Sequence, residues 1–235
     1  GLILKRRSCR IMTEKPLFSI VAFLIKKLTK FQVVNPELIP PEGGLLMTSN
    51  HLSRLDTPLL MAMTDRTDLV AIVARKYEKK PFFKWILEKI GTIIWMDREK
   101  IDFNALREVL SVLRKGNVIG IAPEGTRSHG AVGLLEGKQG AAVIAAQASV
   151  PILPVGIIGS DKIYAHWMKL RRPPITIRTG KPYVLPEMDP HDRQAWLSEN
   201  TDEIMCRIAA LLPPEYRGFY ANHPRLQELL AEEPE

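Results

Sequence analysis

A layered α/β fold, in which helices pack on a mostly parallel or mixed sheet behind an N-terminal amphipathic helical segment, is what this 235-residue chain predicts. Three observations carry that prediction. Short apolar runs of strand length alternate with longer segments of helical period. Polar turns rich in Gly, Pro, Ser and Asp follow the apolar runs. The 46% apolar content, spread over this length, is enough for one sizeable core.

Taken in order, residues 16–31 read as a helix made of the apolar run 17–25 and the pair Lys26-Lys27. Leu45-Leu46-Met47-Thr48-Ser49 is a continuous apolar run of the kind found in buried parallel strands, giving a strand at 45–49. A helix at 57–64 follows, with Asp56 or Thr57 as its N-cap and Pro58 in its first turn. Strands at 69–74 and 92–96 flank a helix at 81–90. In the next helix, 103–115, Phe103, Leu106, Val109, Leu110 and Leu113 recur at helical spacing, with Asp102 as cap and Lys115-Gly116 as stop. A strand at 117–122, a helix at 138–148, strands at 152–157 and 174–178 and a helix at 192–211 complete the pattern. From residue 199 onward eight acidic residues face three basic ones, so the end of the chain reads as a solvated, partly disordered acidic tail. The organisation expected is a basic membrane-association segment at 1–35, a catalytic domain at 36–212 and the tail at 213–235, with no internal repeat and no second domain.

The turn after the strand at 45–49 reads Asn50-His51-Leu52-Ser53-Arg54-Leu55-Asp56. A histidine with a carboxylate five residues on can form a base and its orienter from one turn. The carboxylate holds one ring N–H and leaves the other nitrogen free to take a proton. A second polar loop, Pro123-Glu124-Gly125-Thr126-Arg127-Ser128, follows the strand at 117–122. Gly125 permits close backbone approach, Arg127 offers a planar fork of donors suited to phosphate, and Thr126 and Ser128 add hydroxyls. Strand-end loops in such a fold converge on one face, which would bring His51, Arg98 and Glu124 to Arg127 together.

Four blocks in this order resemble the glycerophospholipid acyltransferase family, which includes the lysophosphatidic acid acyltransferases. They are Asn50-His51 with Asp56, the Gly91-Thr92-Ile93-Ile94-Trp95-Met96-Asp97-Arg98 run, Glu124-Gly125-Thr126-Arg127-Ser128, and Val150-Pro151-Ile152-Leu153-Pro154-Val155. The resemblance covers about residues 40–185. Two departures stand out: Ala122 where the family usually has an aromatic residue, and Gly137 where it often has Phe before the lysine, here Lys138. Small side chains there either enlarge the pocket or are back-filled by neighbours.

The resemblance implies a transfer of a fatty acyl group from acyl-CoA or acyl carrier protein to the 2-hydroxyl of 1-acyl-glycerol-3-phosphate, giving phosphatidic acid in phospholipid biosynthesis. It implies His51 as general base and Asp56 as its orienter. Arg98 and Arg127 would grip the acceptor phosphate, while Asn50, Glu124, Gly125, Thr126, Ser128 and Lys138 would bind or shape the acceptor side. A backbone N–H near Gly125 or in the Asp56–Pro58 turn would serve the oxyanion. Alternatives within reach of the same residues are acylation of glycerol-3-phosphate or of another lysophospholipid, and a catalytically silent lipid-binding protein. An esterase would need a Gly-x-Ser-x-Gly elbow, which Gly156-Ile157-Ile158-Gly159-Ser160 does not supply.

Charge is concentrated at the start. Residues 1–30 hold eight basic residues against Glu14, a surplus equal to the +7 of the whole chain. Met12 is a candidate start, and without Lys5, Arg6, Arg7 and Arg10 the formal charge falls to +3. The nine-residue apolar run at 17–25 is far short of the ~20 residues that span a bilayer, and no small-residue cleavage site follows it. Its expected place is the interface, among anionic headgroups on the cytoplasmic face of the membrane. Lys79-Lys80-Pro81-Phe82-Phe83-Lys84-Trp85-Ile86 and His166-Trp167-Met168-Lys169-Leu170-Arg171-Arg172 repeat the habit, the other reading of each being an amphipathic helix packed on the domain. A nucleic-acid partner is not expected, since no nucleic-acid-binding motif accompanies the basic residues. Two cysteines, Cys9 and Cys206, make neither a disulfide framework nor a metal site, and no metal or cofactor beyond the acyl donor is expected.

Overall fold

Every residue of Leu45–Ser49 is buried, and this strand lies at the centre of the sheet. The computed structural model describes residues 16–90, 92–97, 102–128, 133–188 and 190–232. In it seven strands form one sheet in the order β1-β7-β6-β2-β5-β3-β4. They are β1 (Lys30–Val34), β2 (Leu45–Ser49), β3 (Leu69–Ala74), β4 (Thr92–Met96), β5 (Val118–Ile121), β6 (Ile152–Ile158) and β7 (Pro174–Thr179). All pairings are parallel except β6 with β7, so β1 and β7 run against the other five. The helices are α1 (Pro16–Leu28), α2 (Asp56–Ala62), α3 (Pro81–Ile90), α4 (Phe103–Arg114), α5 (Gly140–Ala148), α6 (Ile163–Met168), α7 (Arg193–Ala210) and α8 (Pro224–Glu232).

Alternation along the strands sends side chains to two cores. Leu46, Val70, Ile94, Ile119 and Ile152 face α4, α5, α7 and α8. Leu45, Met47, Leu69, Val118, Leu153, Val155, Ile157, Ile175 and Ile177 face α1, α2 and α6. A layered αβα arrangement with a mostly parallel sheet is therefore what the chain adopts, with α1 in front of it. In α4 the carboxylate of Asp102 accepts the Ala105 N–H at 3.1 Å as its cap, and Gly116 takes φ +90° just past the helix.

Three expectations change. The first helix ends at Leu28, where Thr29 turns back on Ile25 O through both its N–H (3.0 Å) and Oγ1 (2.7 Å). Lys30–Val34 then pairs with β7 as an edge strand, Lys30 N–H donating to Pro173 O at 2.8 Å. Asp56 and Thr57 do not cap α2: Leu55 holds that position without a side-chain bond, and the Asp56 carboxylate points back into the preceding turn. The stretch 213–232, expected as a solvated tail, packs on the domain instead. Tyr216, Tyr220, Leu226 and Leu229 are buried against α7, because the acids lie on one side of α8 and its leucines on the other. Residues 1–15, with half of the basic N-terminal segment, lie outside the described residues. Among the described residues no helix is long and apolar enough to cross a membrane.

Candidate active site

β2 and β5 are neighbours in register from Leu45↔Val118 to Thr48↔Ile121, so the loops that leave their ends must meet. They meet at the backbone of His51. Its N–H donates to Glu124 Oε1 at 2.8 Å, and its carbonyl accepts the Ser128 N–H at 2.9 Å. The second loop thus clamps His51 through the main chain on both sides, and the residue lines the cavity.

The imidazole is aimed by Asp56. Nδ1 lies 2.7 Å from Asp56 Oδ2, with the histidine side chain 20% exposed and the aspartate 3%. The same Oδ2 accepts the N–H groups of Leu52 (2.7 Å) and Ser53 (2.8 Å), while Oδ1 accepts Ser53 Oγ–H (3.1 Å) and Ser160 Oγ–H (2.6 Å). Five donors saturate one buried carboxylate and fix it as an acceptor. Nδ1 is therefore the protonated nitrogen, and Nε2 presents its lone pair to the cavity. Ser160 belongs to this constellation although the sequence shows it only as part of a failed nucleophile elbow. Its position after β6, beside β2 in the sheet, brings it to Asp56.

Glu124 is buried and bridges two loops, accepting His51 N–H through Oε1 and Leu135 N–H (3.0 Å) through Oε2. Burial raises its pKa to about 6, against the lowering effect of those two backbone N–H groups. Its ordinary value is 4.5, so the folded state holds the proton more tightly than the unfolded chain does. Stability conferred by this group is then greatest below pH 4.5 and declines as the pH rises through about 6, by about 2 kcal/mol in all. Glu124→Gln should flatten that decline in unfolding free energies measured from about pH 4 to 7. A slope equal to wild type would show that the carboxyl titrates normally.

Asn50, expected on the acceptor side, faces the protein: its Nδ2 donates to Ile157 O (2.8 Å) and its Oδ1 accepts Ile157 N–H (2.7 Å). It extends the pairing of β2 with β6 by one side chain. Ser128 and Glu124 likewise act on backbone. The cavity itself, about 250 Å³, is lined by the polar His51, Asp56, Thr57, Asp97 and Lys138, by Gly125, and by the apolar Leu60, Leu69, Ala71, Ile72, Met96, Ile121 and Ala122. Gly120 also lines it, and a Cβ there would meet nothing within 4 Å, so this glycine leaves room on the wall. Ala122 contributes room as well. Gly137 does not: a Cβ there would fall 2.6 Å from Met205 Cγ and 2.9 Å from Thr201 Cγ2, so α7 fills the space a larger residue would take.

Lys138, expected to bind or shape the acceptor side, is the cation that lines the cavity among the described residues. Its stem lies over Gly125, whose φ of +68° lets the turn pass beneath it; a Cβ on Gly125 would come within 2.9 Å of Lys138 Cδ. Arg127 is half-buried and Thr126 exposed, and neither is among the residues that line the cavity. Arg98 lies outside the described residues; its neighbour Asp97 is on the cavity wall. The Gly125 N–H expected for the oxyanion donates to Ala122 O at 3.0 Å within its own turn.

The chain is similar to known acyltransferases. The acyltransferase family model matches residues 30–158. The 1-acyl-sn-glycerol-3-phosphate acyltransferase of Borreliella burgdorferi is 30% identical over 137 residues, covering 57% of this chain and 54% of its own length. The probable 1-acyl-sn-glycerol-3-phosphate acyltransferase of Mycoplasma pneumoniae is 32% identical over 142 residues, 59% of this chain and 53% of its own. The chain thus spans about half the length of the curated relatives it matches. The crystal structure of the 1-acyl-sn-glycerophosphate (LPA) acyltransferase PlsC from Thermotoga maritima shares the fold, with a TM-score of 0.59, 22% identity and coverage of 86% of this chain and 82% of that one. The matched family segment runs from β1 through β6 and takes in His51, Asp56 and Glu124, and on that match the chain belongs to the acyltransferase family.

Proposed function

We propose that this chain transfers a fatty acyl group from the thioester of acyl-CoA or acyl carrier protein to the 2-hydroxyl of 1-acyl-glycerol-3-phosphate, releasing the thiol and forming phosphatidic acid. The observation that carries the reading is the His51 Nδ1–Asp56 Oδ2 pair at 2.7 Å, on a cavity lined mostly by apolar residues. Nε2 takes the proton of the acceptor hydroxyl as its oxygen attacks the thioester carbonyl, and Asp56 stabilises the imidazolium that forms. Collapse of the tetrahedral intermediate expels the thiolate, to which the imidazolium returns the proton. No acyl-enzyme is needed because the donor is already activated. With Gly125 N–H engaged, the oxyanion falls to the first turn of α2, whose Thr57 lines the cavity.

The apolar walls suit an acyl chain, and the Lys138 ammonium over Gly125 suits the acceptor's phosphate. The names of the relatives point to the same acceptor. The acceptor lives in a bilayer, and α1, with exposed Ile20, Phe23, Leu24 and Leu28 beside Lys26 and Lys27, supports peripheral attachment there. A panel of 1-acyl-glycerol-3-phosphate, glycerol-3-phosphate, lysophosphatidylcholine and 1-acyl-glycerol tests the reading. Wild type should prefer the first, and Lys138→Ala should raise KM for it by ~10- to 100-fold while leaving 1-acyl-glycerol, which carries no phosphate, unchanged. An equal loss on 1-acyl-glycerol would remove Lys138 from phosphate binding, and a preference for lysophosphatidylcholine would overturn the acceptor.

A further inference from the structure

We propose that the turn at the end of α6, Met168-Lys169-Leu170-Arg171-Arg172, inserts into an anionic bilayer beside α1, so that two segments far apart in sequence form one docking face on the rim that carries the active site. The proposal rests on the membrane-borne acceptor read above.

Leu170 is 97% exposed and Met168 85%, the two most exposed large apolar side chains among the described residues. Leu170 also takes φ +53°, a conformation that costs a branched L-residue and that glycine or asparagine would adopt more readily. Neither residue serves a core or lines the cavity. A fold that holds a leucine in strained backbone and full water contact gains nothing from it in solution; in lipid the same exposure becomes burial.

The turn is fastened to α1. Trp167 Nε1–H donates to Leu28 O at 3.1 Å, and Arg172 Nη2 donates to Lys26 O (3.2 Å) and Thr29 O (2.5 Å). These bonds satisfy carbonyls at the C-terminal end of α1 that would otherwise need water, so this end can approach the hydrocarbon boundary. The exposed Leu28, Leu24 and Phe23 of α1 then continue the apolar surface begun by Met168 and Leu170.

Charge identifies the partner. Lys169, Arg171 and Arg172 are exposed around Leu170, Lys26 and Lys27 stand on the last turn of α1, and no acidic residue occurs between Lys162 and Pro186. Basic residues ringing apolar tips match a surface of anionic headgroups over acyl chains.

Topology supplies the orientation. β6 runs parallel to β2, and β7 and β1 run opposite, with Ile158↔Thr176 and Lys30↔Pro174 in register. The end of α1, the segment between β6 and β7, and the His51 turn therefore share one end of the sheet. Ser160, in that same segment, touches Asp56. A membrane met by this turn lies on the side from which a lipid acceptor reaches His51.

The test uses the full chain and vesicles of phosphatidylcholine with or without phosphatidylglycerol. Met168→Ser/Leu170→Ser should weaken binding to anionic vesicles at least about tenfold while leaving thermal unfolding and transfer to a monomeric short-chain acceptor unchanged. In a Cys9→Ser background, an environment-sensitive dye on Leu170→Cys should shift to the blue with anionic vesicles only, the buried Cys206 remaining unlabelled. Wild-type binding by the double variant, a dye that stays in water, or equal binding to neutral vesicles would each overturn the proposal. Failure of the functional reading looks different: a chain that transfers no acyl group but docks through Leu170 keeps the docking face and loses the transferase.

Discussion

His51→Ala is expected to lower acyl transfer by about 100- to 10,000-fold, the range that general base catalysis supplies, and to leave the fold intact. The fold should survive because the clamps on residue 51 are backbone bonds to Glu124 and Ser128, which alanine keeps. Asp56 would lose one of five donors, and the four that remain come from Leu52, Ser53 and Ser160. Near-wild-type unfolding with abolished turnover is the signature. Asp56→Asn offers a contrast, since its amide has one acceptor oxygen where the carboxylate uses two to take five donors; it should cost stability, about 1–3 kcal/mol, as well as rate.

Deleting residues 213–235 is expected to prevent cooperative folding. Tyr216, Tyr220, Leu226 and Leu229 bury their side chains against α7, each contributing about 1.5–3 kcal/mol, and together they rival the ~5–15 kcal/mol that holds a whole domain. The segment also supports the active site. Leu134 N–H donates to Tyr216 O (3.0 Å), Phe219 N–H to Leu134 O (2.8 Å) and Gly137 N–H to Tyr220 Oη (3.0 Å). That loop delivers Leu135 N–H to Glu124 and positions Lys138. A milder variant isolates this role: Tyr220→Phe leaves Gly137 N–H without its acceptor and should lower the midpoint of denaturant unfolding, by about 1–3 kcal/mol in free energy. A truncated chain with unchanged unfolding would show that the segment is an ornament.

The sheet was largely legible because its six strands after β1 are short apolar runs bounded by turns, and central strands such as β2 and β6, buried on both faces, can be little else. β1 escaped because its period-2 pattern, Phe31 and Val33 inward with Lys30 and Gln32 outward, begins one residue after a helix whose own lysines mask the change of period. α8 escaped because Glu228 and Glu232 dominate a charge count, whereas its fold depends on Leu226 and Leu229. At the site, residue type and spacing identified the His51–Asp56 pair. They also marked Asn50, Glu124 and Ser128 as residues that bind or shape the acceptor side, without showing how: in the structure these side chains and backbone groups bond to backbone at the junction of β2, β5 and β6. Ser160 carried no signal, since its role arises only from the adjacency of β6 and β2. Gly137 shows the same limit for apolar space: whether a small residue opens a pocket depends on α7, more than sixty residues away.

The measurement that bears most directly on the account is acyl transfer on anionic vesicles carrying 1-acyl-glycerol-3-phosphate, with palmitoyl- and oleoyl-CoA and the matching acyl carrier protein thioesters as donors, wild type beside His51→Ala. Phosphatidic acid formed by wild type and lost in the variant is the result expected. No product from any donor, or equal product from both proteins, would contradict the assignment of His51 and Asp56 as the base and its orienter.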